Sequence, residues 1–159
     1  MGDKFIIREA SGSDEMKTAH KLINDYMVEL CEDLCFQDVE QELATLPGPY
    51  ARPEGVIFFG ILNDEPEATA MIALKKLDGK TCEMKRLYVA PHHRSHGMGE
   101  ALVKRLLAEA KAMSYELMRL DTLARLTPAI ALYERYGFIK TNAYNDADLA
   151  GITYFMKEL

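Results

Sequence analysis

The residues best suited to do chemistry lie in one stretch, Glu83-Met84-Lys85-Arg86-Leu87-Tyr88-Val89-Ala90-Pro91-His92-His93-Arg94-Ser95-His96-Gly97-Met98-Gly99-Glu100. A strand-like run passes there through a basic, glycine-bearing turn into a helical pattern. The first N–H groups of a helix have no intrahelical partner and carry the positive end of its dipole, so the turn is a ready anion site. Gly97 and Gly99 remove Cβ atoms that would hold a phosphate away from those amides, while Arg94 offers a fixed charge and Ser95 a hydroxyl. The composition suits a diphosphate.

The residues that follow narrow the choice of diphosphate. A P-loop ends in Gly-Lys-Ser/Thr, but Gly99 is followed by Glu100-Ala101, which disfavours ATP. A dinucleotide turn needs a third small residue for helix–strand packing, and counting from Gly97 places Leu102 there, which disfavours NAD. Arg94-x-x-Gly97-x-Gly99 remains.

The elements that must position this turn are readable along the chain. Phe5-Ile6-Ile7-Arg8 reads as a strand, and Ser11 to Asp14 supply a turn and N-cap. Met16, Ala19, Leu22, Ile23, Tyr26, Met27, Leu30, Cys31 and Leu34 then trace one apolar helical stripe. Val39, Leu43 and Leu46 predict a second short helix, stopped by Pro47-Gly48-Pro49. Val56–Leu62, Ala68–Leu74 and Thr81–Val89 predict an antiparallel meander with turns at Asn63–Pro66 and Asp78-Gly79. Poor alternation in the third strand leaves room for a bulge near Leu87 and Tyr88.

After the turn, Met98, Ala101, Leu102, Leu106, Leu107, Ala110 and Met113 keep helical spacing, with Glu100 in the first turn and Lys111 in the last. A helix of that length between two strands makes Leu117–Asp121 a parallel neighbour of the preceding strand. Thr127-Pro128 has the N-cap and first-position signature of another helix, closed by Gly137, and Ile152–Lys157 reads as a last strand.

The whole chain sets the frame. Its 159 residues suit one domain, residues 1–159, with a real core. No apolar run approaches a membrane span and no secretory signal is seen, so a cytoplasmic protein is expected. Cys31, Cys35 and Cys82 are expected to be reduced thiols, and no metal site is expected, because their spacing matches no zinc pattern. The net charge of −6 argues against nucleic acid as a partner. From Leu22 to Ala51 there are seven acids (Asp25, Glu29, Glu32, Asp33, Asp38, Glu40, Glu42) and no Lys or Arg.

Two segments carry a resemblance. Arg94-x-x-Gly97-x-Gly99 is similar to the Gln/Arg-x-x-Gly-x-Gly/Ala signature of the GNAT family of acetyl-CoA-dependent N-acetyltransferases. Thr127 to Phe138 resembles that family's Ala-x-x-Leu-Tyr-x-x-x-Gly-Phe, with Ala129, Leu132, Tyr133, Gly137 and Phe138. The resemblance implies an α/β (α+β) fold, with a mixed, mostly antiparallel sheet of six to seven strands flanked by about four helices. It further implies that the parallel pair Glu83–Val89 and Leu117–Thr122 splays apart at the acyl-CoA site.

It implies roles as well. Backbone groups of Leu87, Tyr88 and Val89 would hold the pantetheine arm and thioester carbonyl, and the backbone of Arg94, Ser95, His96, Gly97, Met98, Gly99 and Glu100 the pyrophosphate. Glu83 resembles the strand glutamate that removes the acceptor's proton, which an amine of pKa about 10.4 requires. Tyr133 matches the residue that faces the departing thiolate. Full proton transfer from a tyrosine to a thiol is uphill by roughly 2 kcal/mol, so a hydrogen bond to sulfur is the milder role. Leu126 departs from the pattern, since many members carry Asn there, which leaves one pantetheine contact open. Tyr50 and Tyr144 are candidate walls of the acceptor site.

The expectation is therefore an enzyme that moves an acetyl group from acetyl-CoA to a primary amine by direct attack. The acidic Leu22–Ala51 segment would steer a cationic acceptor, whether a small molecule or a protein or peptide amine. No membrane partner is expected, and a homodimer is compatible with the chain. Two alternatives stay open: a non-catalytic CoA-binding sensor or partner domain, and an enzyme that uses a longer acyl-CoA.

Overall fold

The computed structural model describes residues 4–30, 36–145 and 151–159. The elements run β1 (Phe5–Glu9), α1 (Gly12–Leu30), α2 (Phe36–Thr45), β2 (Val56–Leu62), β3 (Ala70–Asp78), β4 (Thr81–Val89), α3 (Met98–Ala112), β5 (Leu117–Leu123), α4 (Thr127–Arg135), β6 (Ile139–Thr141) and β7 (Ile152–Glu158). Seven strands form one sheet in the order β1-β2-β3-β4-β5-β7-β6. All neighbours are antiparallel except β4 and β5, which run parallel. This is the mixed, mostly antiparallel sheet with four helices that the sequence led us to expect. Cys31 and Cys35 lie outside the described residues.

Both faces of the sheet are covered, and alternation along the strands sorts the core into two halves. Val56, Phe58, Ala70, Ile72, Leu74, Cys82 and Met84 pack with Met98, Leu102, Val103 and Leu106 of α3 and with Tyr133 of α4. Ile57, Phe59, Met71, Ala73 and Tyr88 pack on the other side with Ala19, Leu22, Ile23 and Met27 of α1 and Val39 of α2. Covering both faces explains why β2 reads as an unbroken apolar run rather than an alternating one.

Beyond shifts of one or two residues at strand ends, the structure departs from the sequence expectation at β3, β6 and α4. β3 starts two residues later and runs to Asp78, because its pairing with β4 continues to Asp78↔Thr81 at the tight turn where Gly79 takes φ +42°. β6 was missed, since three residues at the sheet's edge are too few to show a period. Helix α4 is capped by Leu126 rather than Thr127, and Thr127 is its first residue.

Strand β4 carries the decisive irregularity. Met71 opposes Tyr88 while Ala73 opposes Lys85, so β4 holds one residue more than β3 across that interval. The expected bulge is therefore present at Arg86–Leu87, and Arg86 takes φ +60°, a conformation costly for a residue with a Cβ. On its other edge β4 pairs with β5 only over Thr81–Glu83 against Leu117–Arg119. Beyond that point the two parallel strands part.

Candidate active site

Where β4 and β5 separate, a cavity of about 100 Å³ opens. Lys85, Arg86 and Leu87 line it from the bulge of β4, Asp121 and Thr122 from β5, and Tyr133 from α4. The backbone at Arg86–Leu87 has no strand partner on the β5 side, so its polar groups face the gap rather than a ladder.

The turn that follows β4 leads straight into α3. Gly97 is the N-cap with φ +86°, and open space surrounds the position a Cβ would occupy. The first intrahelical bond is Ala101 N–H to the Gly97 carbonyl at 3.1 Å, which leaves the amides of Met98, Gly99 and Glu100 at the dipole's positive end without helical acceptors. Ser95 also sits at positive φ, +78°, and its hydroxyl donates to the Arg94 carbonyl.

The side chains of this stretch have partners of their own. Arg94 is not aimed at those amides: its guanidinium donates to both oxygens of Glu29 on α1, at 2.7 and 2.8 Å, and to the Val89 carbonyl at 2.8 Å. It also lies over the Tyr88 ring, which itself packs on Tyr26 of the α1 side. A Cβ on Gly99 would make ordinary contacts with Val89 and Leu132, at 3.8 and 4.0 Å, so packing does not demand a glycine here. Met98 buries its side chain in the core, leaving only its backbone amide to the turn. Glu100 accepts from the Tyr136 hydroxyl at 2.6 Å and ties α3 to α4, while His96 is exposed.

Tyr133 is placed by the end of its own helix. Gly137, at φ +93°, donates to the Glu134 carbonyl, and Phe138 donates to the Tyr133 carbonyl at 3.0 Å, the two bonds of a Schellman motif. The apolar contact that accompanies the motif is Phe138 edge-on to Tyr133, with ring centroids 5.9 Å apart. The Tyr-x-x-x-Gly-Phe spacing is thus a cap that locks the tyrosine's backbone and ring together. Burial, with the nearby Tyr26 and Asp121, pushes the Tyr133 hydroxyl well above the usual tyrosine range.

Glu83 is buried on β4, on the side of the sheet that faces α1 and α2. Its Oε2 accepts from the Tyr144 hydroxyl at 2.6 Å, and its Oε1 lies 3.5 Å from Lys75 Nζ. Tyr144 stands under the Arg119 guanidinium, 5.4 Å from it, and edge-on to Tyr154. Burial and the Glu83 carboxylate raise its hydroxyl, which stays protonated at neutral pH. The neighbouring Asn145 donates to Asp121 Oδ2 at 2.8 Å, so two adjacent residues of one loop hold two carboxylates. Sequence reasoning missed Asp121, Asn145 and Lys85; the only signal for them was their position opposite or beside the predicted splay.

On the α2 side, Arg86 donates to both oxygens of Glu42, at 2.8 and 2.9 Å, and Tyr50 donates to the same carboxylate. Burial alone would raise the Glu42 carboxyl, but Arg86 outweighs it and holds the group below the usual carboxylate range. Of the four acids of the Leu22–Ala51 segment whose side chains are described, three are engaged: Glu42 with Arg86, Glu29 with Arg94, and Asp25 with Lys21.

Cys82 is fully buried and its thiol is pushed up to about 12, chiefly by burial. A covalent acyl-enzyme at this sulfur is disfavoured, because the thiolate is the nucleophile. Iodoacetamide at neutral pH should leave Cys82 unmodified in the folded protein, read by peptide mass spectrometry, and label it after denaturation. Labelling at equal rates in both states would overturn this assignment. Among the described residues no group of three His, Cys, Asp or Glu could hold a metal ion, and no helix is long and apolar enough to cross a membrane.

Comparisons with known proteins agree with the architecture. The family model described as the acetyltransferase (GNAT) family matches residues 16–138. An uncharacterized N-acetyltransferase of Schizosaccharomyces pombe is 36% identical over 140 residues, covering 87% of this chain and 85% of that protein. An N-acetylaspartate synthetase of Danio rerio is 29% identical over 112 residues, 70% of this chain but 40% of that protein. Among solved structures, an acetyltransferase from Streptococcus agalactiae superposes with a TM-score of 0.80 at 23% identity, covering 99% of this chain and 100% of that one. An acetyltransferase from Salmonella typhimurium, solved with its cofactor acetyl-CoA, gives a TM-score of 0.70 at 20% identity over 98% of this chain and 94% of that one. With the splayed parallel pair, the capped tyrosine and the open helix N-terminus now joined by a family match over most of its length, the chain belongs to the acetyltransferase (GNAT) family.

Proposed function

We propose that the protein transfers the acetyl group of acetyl-CoA to a primary amine by direct attack. One observation carries the reading: the unpaired gap between β4 and β5 contains Tyr133 and ends beside the open N-terminus of α3. The residues present fit the donor. Amides of Met98 to Glu100 suit its diphosphate, and the backbone of the Arg86–Leu87 bulge suits the carbonyl on which charge develops. Acetyl-CoA supplies the acetyl group already activated as a thioester. The Salmonella typhimurium neighbour, solved with acetyl-CoA, supports that choice of donor.

The chain's own residues handle the protons. Glu83 is the base, reached through Tyr144: the acceptor nitrogen gives a proton to Tyr144 Oη as Tyr144 passes its own to Glu83 Oε2, 2.6 Å away. The N–C bond forms as the C–S bond breaks, the nitrogen's second proton passes to the departing sulfur, and the sulfur accepts a hydrogen bond from Tyr133. The raised Tyr133 hydroxyl makes it a hydrogen-bond donor rather than a full acid.

Two measurements test the reading. Acetyl-CoA at a hundred times its Kd should stabilise the fold by about 2.7 kcal/mol and raise the thermal midpoint by roughly 5–10 °C. No shift would overturn the reading. Tyr133→Phe should lower kcat about tenfold with KM for acetyl-CoA little changed, the signature of a bond made to the leaving sulfur. An unchanged kcat would remove Tyr133 from the chemical step.

A further inference from the structure

The acceptor end of the gap has a charge pattern of its own. Asp121 is the one carboxylate among the described residues that line the cavity, and Asn145 holds its Oδ2 at 2.8 Å. Glu83 does not line it, being buried beneath Tyr144 and Lys75. The opposite wall carries two cations, Lys85 and Arg86. Arg86 is engaged with Glu42, whereas Lys85 makes no ion pair among the described residues, although its charge is felt at Glu42.

All three charged groups stand on one side of the sheet. Lys85 opposes Ala73, whose side chain belongs to the α1/α2 half of the core, and Asp121 flanks Leu120, whose side chain belongs to the other half. The gap therefore offers a negative group on the β5 wall and a positive one on the β4 wall, facing the same layer. A polyamine would leave Lys85 opposing its charge, and like charges held close together are unfavourable. An amine that also carries an acid group satisfies both walls.

We infer that the acceptor is a small amine bearing a carboxylate, of the α-amino acid class, with its ammonium on Asp121 and its carboxylate on Lys85. This rests on the acetyl-transfer reading above and deepens it. Asp121 then sets the nitrogen beside Tyr144, because the loop that gives Asn145 to Asp121 gives the adjacent Tyr144 to Glu83. The ammonium loses one proton through Tyr144 to Glu83, the nitrogen forms its bond to the acetyl carbon as the C–S bond breaks, and its second proton passes to the departing thiolate, so the products are an N-acetyl amino acid and free CoA thiol. The engagement of Glu29 and Glu42 in ion pairs fits this better than a site built to draw in polycations.

The test is free-thiol release from acetyl-CoA with four kinds of acceptor: α-amino acids, the same amino acids as carboxamides, polyamines and lysine peptides. Free amino acids should be used, and conversion of the carboxylate to an amide should lower kcat/KM at least about tenfold, as for one lost charge-assisted hydrogen bond. Lys85→Met should raise KM for the amino acid about tenfold with kcat held, and should abolish the preference over the amide. Asp121→Asn should raise KM for acid and amide alike.

Amides or polyamines used as well as free amino acids would overturn the inference and leave the acetyl-transfer reading standing. So would a Lys85→Met loss of equal size on acid and amide. If the wild-type protein gains the expected thermal stability from acetyl-CoA yet no acceptor in the panel reacts, the inference fails while CoA binding stands. If acetyl-CoA gives no stabilisation, the underlying reading fails first.

Discussion

Glu83→Gln should lower kcat by about a hundredfold, Tyr144→Phe should lower it by a similar factor, and the double variant should be no slower than the slower single one. The reason is a shared step. Tyr144 Oη and Glu83 Oε2 are 2.6 Å apart, and the carboxylate is only 3% exposed, so in the proposed relay a proton from the acceptor would reach Glu83 through the hydroxyl. Removing either end of such a relay removes the whole of it, and losses from residues that act as a unit do not add. The measurement is steady-state kinetics of thiol release for the four proteins. Independent losses that multiply would show that the two residues act separately. A Tyr144→Phe protein with higher kcat/KM would show that the hydroxyl blocks Glu83 rather than serving it.

The second large effect is on stability. Glu42→Gln should destabilise the protein by about 3 kcal/mol, because it strands the Arg86 guanidinium in a buried place without its counter-charge. The side chains of this pair are 13% and 14% exposed, which is what raises its worth above that of a surface bridge. The effect also has a pH signature. The folded-state pKa of Glu42 lies below its unfolded value, so its stabilisation is fully present above the ordinary glutamate range of about 4.3. It is lost as pH falls through the folded value. The gap in urea midpoint between wild type and Glu42→Gln should therefore be full at neutral pH and close under acid conditions. A gap that stays constant with pH would mean that Glu42 acts through packing and not through charge.

This pair also accounts for the bulge. Arg86 sits at φ +60°, and a residue with a Cβ holds that conformation only where its surroundings over-determine it. Glu42 and Tyr50 supply the restraint, since Glu42 grips the guanidinium with both oxygens and Tyr50 grips Glu42. The extra residue then turns β4 away from β5 and leaves backbone polar groups facing the gap.

What the sequence by itself determined is what short-range physics writes into it. The helical stripe of α1, the apolar run of β2 and the strand–turn–helix passage from β4 to α3 follow from periods of two and 3.6 and from the orphan amides of a helix start. Gly97 and Gly137 announce left-handed positions that their neighbours cannot take, and Gly137 thereby announces the cap that fixes Tyr133. Even the bulge showed as failed alternation in β4, and the family followed from these local signatures. The charges were decided only by the tertiary structure. Arg94 turned to Glu29, 65 residues away, Arg86 to Glu42, 44 away, and Glu83 to Tyr144, 61 away. Asp121 came to line the cavity only because β5 parts from β4. A side chain's partner across such separations leaves no trace in the local pattern, because it is set by how helices and strands stack, and that stacking chooses which of several available carboxylates each cation meets.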